Sequence, residues 1–107
     1  MSGIADLFEE ATIAPVAING KTKHVRELSG VEIYEVYEKA GRSGTGLVVQ
    51  LLTRAVCDPD GRPLATEKDI RKLPKKWLDA LFDEASKLNG IGTTEKNLEA
   101  DRNSVSS

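Results

Sequence analysis

Apolar and polar positions follow a different rhythm in each part of this chain, and the breaks between rhythms are chemically specified. From Ile4 to Ala11, the apolar residues Ile4, Leu7, Phe8 and Ala11 recur at helical spacing, with Glu9 and Glu10 facing away. From Thr12 to Leu28 the pattern shortens: Val16 and Ile18 alternate with Ala17, Asn19-Gly20 follows, and Lys21–Arg26 lies beyond it. Both residues of Asn-Gly tolerate the positive φ of a two-residue turn, so this stretch predicts a β-hairpin of roughly residues 15–26. Pro15 belongs at the free end of such a hairpin or on an edge. Because a lone hairpin is marginal in water, it has to pack on helices.

Ser29-Gly30-Val31-Glu32 reads as a capping box, with Leu28 and Ile33 at the positions of a hydrophobic staple. The helix it opens runs to about Ala40. Val31, Tyr34 and Tyr37 lie on one side, with Ile33, Val36 and Ala40 nearby, an apolar arc wider than one core contact needs. Either this helix lies between two layers or part of it meets another molecule. The glycine-rich stretch 41–46 follows as a hinge. It lacks the Gly-Lys-Ser/Thr ending of a phosphate-binding loop and does not match G-x-G-x-x-G.

Leu47–Cys57 is almost wholly apolar and does not alternate, which favours a buried central helix over a strand. Asp58-Pro59-Asp60-Gly61 then supplies a turn. Its paired Asp residues do not make a calcium loop, because Gly61 comes two positions early and Pro63 interrupts. Thr66, with Asp69 in the reciprocal position, caps a short helix to about Leu73. Pro74 opens a last helix carrying Trp77, Leu78, Leu81, Phe82, Ala85 and Leu88 on one stripe, and Gly90 closes it. The expected architecture is mainly α (α+β): a small hairpin near the N-terminus packed on a bundle of about four to five helices. Residues 1–90 form a single domain, and residues 91–107 a disordered polar tail.

A chain of 107 residues with 39% hydrophobic and 30% charged residues suits one small domain. At a net charge of −2 it sets up no general attraction to nucleic acid or membranes. The cluster Lys68, Arg71, Lys72, Lys75 and Lys76 reads as a solvated helix face before an anion site. The lone Cys57 forms no internal disulfide and suits a reducing compartment. With no signal-like start and no membrane-length apolar run, the expected setting is intracellular.

Candidate chemistry is sparse. His24 has no companion ligand for zinc, no nucleophile motif surrounds Cys57 or any Ser, and the carboxylates are interspersed with Lys and Arg. No catalytic, cofactor or metal site is expected. The candidate residues are partner-binding ones: Val31, Tyr34 and Tyr37 on one helix, and Trp77, Leu78 and Phe82 on another. Trp77 fits a core position at least as well, since an aromatic on a helical stripe commonly packs inward.

Several strings carry a family resemblance. They are Val25-Arg26-Glu27-Leu28-Ser29, then Ala55–Leu64 with its Cys-Asp-Pro-Asp-Gly-Arg-Pro turn, then Thr66-Glu67-Lys68-Asp69, and finally Ala80–Gly90. In order and texture, over about residues 16–90, the chain resembles the small tail assembly chaperones of long-tailed (siphovirus-type) phages and prophages. The resemblance implies a non-enzymatic protein of the host bacterial cytoplasm that binds the tape-measure protein and helps recruit tail-tube subunits. It also implies, in many phages, a longer form made by ribosomal frameshifting. An apolar surplus of this kind would equally support a homo-oligomer. Two other functions compete: a head–tail adaptor, which would form a fixed ring, and a nucleic-acid-binding regulator using the basic residues around Lys72, which would bind DNA with steep salt dependence.

Overall fold

The structure, a computed structural model, describes residues 11–91. The helix expected over Ile4–Ala11 and nearly all of the polar tail lie outside the described residues. Strand β1 spans Ile13–Ile18 and β2 spans Lys21–Arg26. They pair antiparallel from Ile18↔Lys21 to Ile13↔Arg26 around Asn19 (φ 52°) and Gly20 (φ 79°). These two positive φ values give the tight turn that the Asn-Gly pair predicts. Pro15 sits within β1, which is an edge strand, so its missing N–H is tolerated.

Helix α1, Gly30–Ala40, starts at the expected capping box: the Glu32 amide donates to Ser29 Oγ (3.2 Å), and the Ser29 amide donates to Glu32 Oε1 (3.0 Å). Gly41, at φ 58°, ends it. Helix α2, Gly44–Ala55, starts inside the stretch expected to be a hinge. Ser43 is the reason, because its hydroxyl accepts the Gly46 amide (2.8 Å) and caps a helix whose first turn is Gly-Thr-Gly. Val49, Leu51, Leu52 and Ala55 are buried, and α2 touches α1, a short helix α3 (Glu67–Arg71), a long helix α4 (Lys75–Asn89) and β2. It is the central helix that its apolar run predicts.

The apolar run is not helical to its end. Val56–Cys57 form a short strand, β3, pairing antiparallel with β2 through Val25↔Val56 and His24↔Cys57. The expected hairpin is therefore part of a three-stranded sheet in the order β1-β2-β3. Next to it, the Asp58–Gly61 turn is a small hairpin of its own. The Gly61 amide donates to the Asp58 carbonyl (2.9 Å), the Asp58 amide to the Arg62 carbonyl (2.9 Å), and Gly61 takes φ 90°. Asp58 Oδ1 accepts the amides of both Asp60 and Arg62, at 2.9 Å each, so this carboxylate closes a turn.

Thr66 and Asp69 form the predicted capping box of α3, which stops at Arg71, two residues short of expectation. Pro74 stands one residue before α4, at the cap position. At the far end of α4, Gly90 adopts φ 70°, and the amides of Gly90 and Ile91 both converge on the Ser86 carbonyl. Ile91, the first residue of the expected polar tail, is buried in the core, so the packed domain includes residue 91. Four helices and this sheet make up the described chain, with one core built from Val16, Val25, Val36, Leu51, Leu52, Ile70, Leu81 and their neighbours.

Candidate interaction surfaces

Two surface features stand out among the described residues. The first is the outer face of α1. Its inner face packs on α2 through the buried Val36 and Ala40, with Ile33 alongside. The capping box sets its start, and Arg26 holds the carboxylate of Glu32 through Nη2 (2.9 Å) and Nη1 (3.3 Å) while its Nε donates to the Arg54 carbonyl (3.0 Å). The helix is thus fixed to β2 and α2. Its other side leaves Val31 68%, Tyr34 75% and Tyr37 45% exposed. The wide apolar arc seen in the sequence is therefore wider than the fold uses.

The second candidate set does not behave as a matching free face. Trp77, Leu78 and Phe82 are half-buried on α4 and pack against the core. Trp77 nevertheless lines an open groove of about 420 Å³ between the sheet and the α3–α4 corner. Buried Val56, Ile70 and Leu81 form its floor, Leu73 and Trp77 line one side, and exposed Leu64 stands at the rim. Lys21 and Lys23 of β2 complete it. Sequence reasoning did not identify this groove, since its members are drawn from β2, β3, the loop at Leu64–Ala65 and two helices. One signal was readable: Lys21, Lys23 and Val25 share a strand face by alternation, and a face that buries Val25 and also carries two lysines is unusual.

His24 and Cys57 meet across the β2–β3 pairing, the neighbourhood that nucleophilic chemistry would require. Yet Cys57 is fully buried, burial pushes its thiol up against the opposing pull of Arg26, and no hydrogen bond joins it to His24 among the described residues. A protonated, enclosed thiol is a poor nucleophile. The remaining shifted groups are structural. The Arg26 guanidinium holds Glu32 below the usual carboxylate range against the cost of its burial. The Thr66 amide does the same for Asp69 in its cap. Among the described residues there is no group of three or more His, Cys, Asp or Glu able to hold a metal ion, and no helix is long and apolar enough to cross a membrane.

No protein-family model matches the sequence, and no curated protein does. A solved structure does match: the tail assembly chaperone of bacteriophage HK97, at a TM-score of 0.55 and 21% identity, over 82% of this chain and 91% of that one. The likeness thus spans most of this chain and nearly the whole neighbour, and this chain shares its fold with a phage tail assembly chaperone.

Proposed function

We propose that this protein is a phage tail assembly chaperone, a non-enzymatic holding protein that binds the tape-measure protein and helps recruit tail-tube subunits around it in the host bacterial cytoplasm. The observation that carries this reading is the uncovered row Val31, Tyr34 and Tyr37 on a helix whose other side and N-terminal cap are fully engaged. A holding protein needs apolar surface that is available without unfolding, and a helix-sized row of this kind suits an amphipathic helical client with little demand on its sequence. Burying these side chains against a partner would contribute on the order of 2 kcal/mol each. The tyrosines also bring hydroxyls that tolerate water when the site is empty. The shared fold and the family-like strings support the same reading.

The test is co-expression with a phage tape-measure protein, taken from a long helical reading frame if one neighbours this chain's own. Wild-type protein should co-purify with it, whereas Tyr34→Glu/Tyr37→Glu should lose it while keeping its circular-dichroism spectrum and melting temperature. Undiminished co-purification of a folded double variant would remove the α1 row from the proposal.

A further inference from the structure

We infer that the groove beside Trp77 is a second docking site, built for an acidic amphipathic helix of a partner protein. The argument starts from the sheet. Alternation puts Lys21, Lys23 and Val25 on one face of β2, paired with Ile18, Val16 and Ala14 of β1. Val16 and Val25 are buried under the helices, so this is the core face. Where the helices no longer cover it, the row continues as Lys23 and then Lys21, and both lysines line the groove. Neither takes part in an ion pair among the described residues, where the pairs are Arg26–Glu32, Lys75–Asp79 and Lys87–Asp83.

The opposite wall adds the occupant's second requirement. Trp77 and Leu73 are only half-buried, and Leu64 is 54% exposed at the rim, so apolar side chains line the recess without filling it. Its volume of about 420 Å³ is room for a few large side chains. Asp69 is the acidic residue on the lining, and its carboxylate is already engaged by the amide and hydroxyl of Thr66 at 2.9 and 3.0 Å. The cations on the groove's lining are Lys21 and Lys23. An apolar floor flanked by ammonium groups that form no ion pair among the described residues fits a helix that inserts leucine-like anchors and lays carboxylates along the rim. A basic or neutral helix would gain only the apolar part.

The groove shares no residue with the row on α1, so this site does not depend on the proposed function above. Trp77 is the only tryptophan in the chain and reports directly on the groove. The experiment titrates the full chain with a tryptophan-free synthetic helix of about 18 residues, roughly five turns, carrying leucine on one face and glutamate elsewhere. A twin with lysine in place of glutamate is the control. The acidic helix should blue-shift Trp77 emission saturably, and its affinity should fall several-fold between about 50 and 300 mM salt. The basic twin, and the Lys21→Glu/Lys23→Glu variant with the acidic helix, should each bind about tenfold more weakly or worse.

Leu64→Ala, at an exposed rim position, should weaken binding about threefold or more while the melting temperature holds, so the reading survives if the charge variant folds poorly. Tyr34→Glu should leave this titration unchanged. Equal binding of the two peptides, or no saturable change in Trp77 emission, overturns the proposal. So does an affinity that rises about tenfold when residues 1–10 are deleted, since the occupant would then be this chain's own N-terminal segment. Trp77 emission that shifts with protein concentration alone would make the occupant a second copy, and equally overturn it.

Discussion

The side chain of Asn89, in the last turn of α4, receives the backbone amide of Leu28, a residue 61 positions earlier, at 2.7 Å. Its Nδ2 donates in turn to the carbonyls of Ala85 (2.9 Å) and Arg26 (3.3 Å). One amide group therefore ties the end of the last helix to the corner between β2 and α1, satisfying backbone groups that neither element can satisfy alone. Asn89→Leu should cost about 1–3 kcal/mol, because the part-buried Leu28 amide loses its partner. Asn89→Asp should be at least as damaging at neutral pH, since it keeps the acceptor, loses the donor and places negative charge at a helix C-terminus. Urea unfolding midpoints check both. A loss confined to a few tenths of a kcal/mol would mean that water replaces the bridge.

Acid should weaken the fold partly through Glu32. Its pKa is held below the ordinary value, first by the hydrogen bond from Arg26. A depressed folded-state pKa means that the stabilisation is complete above the unfolded-state value, near 4.5, and fades as pH falls through the lower folded value. Asp58, through the Arg62 amide, and Asp69, through the Thr66 amide, act in the same direction. Glu32→Gln should be less stable than wild type at pH 7, by about 1–2 kcal/mol, and the gap should narrow toward pH 3. Parallel stability curves across that range would place the pair's contribution at zero.

Two glycine substitutions should have opposite effects. Gly61 holds φ 90° at the end of the Asp58 turn, and an added Cβ would come within 3.2 Å of Ile13 Cδ1. The side-chain tip can move, but the backbone strain remains, so Gly61→Ala should destabilise by about 1 kcal/mol or more. Gly30, in the first turn of α1, has open space around it and no positive φ. Gly30→Ala should stabilise by about 0.4–1 kcal/mol. Thermal melts of the two variants beside wild type decide both signs.

How much of this was readable beforehand depended on whether the determinant was local. Asn19-Gly20, Ser29 with Glu32, Thr66 with Asp69, and Gly90 each specify a turn or a helix end within about four residues, and all four appear as expected. Val56 and Cys57 become a strand because β2, some thirty residues back, offers an edge, and nothing adjacent to them announces it. The same holds for the groove, whose parts are scattered from Lys21 to Leu81. The α1 row was visible as an arc wider than needed, because surplus apolar width is a property of one helix. For Trp77 and its neighbours the pattern leaves core and partner face both open, because it cannot say how deeply a stripe is covered.

Cys57 offers a probe of cooperativity. It is fully buried at the centre of the β2–β3 contact, and burial raises its thiol pKa. Alkylation of the native protein should be slower than that of the urea-unfolded chain by a factor on the order of a thousand or more, tracking the global opening equilibrium. Labelling within minutes under native conditions would reveal that β3 detaches by itself.

The buried position of Ile91 has a practical corollary for anyone trimming this polypeptide. A fragment stopped after Gly90 would delete the donor of the final Ser86 contact and leave a side-chain-sized void beneath α4. Designs of minimal versions should therefore retain residue 91, and affinity handles fused at this end belong beyond it, where they cannot unplug the interior.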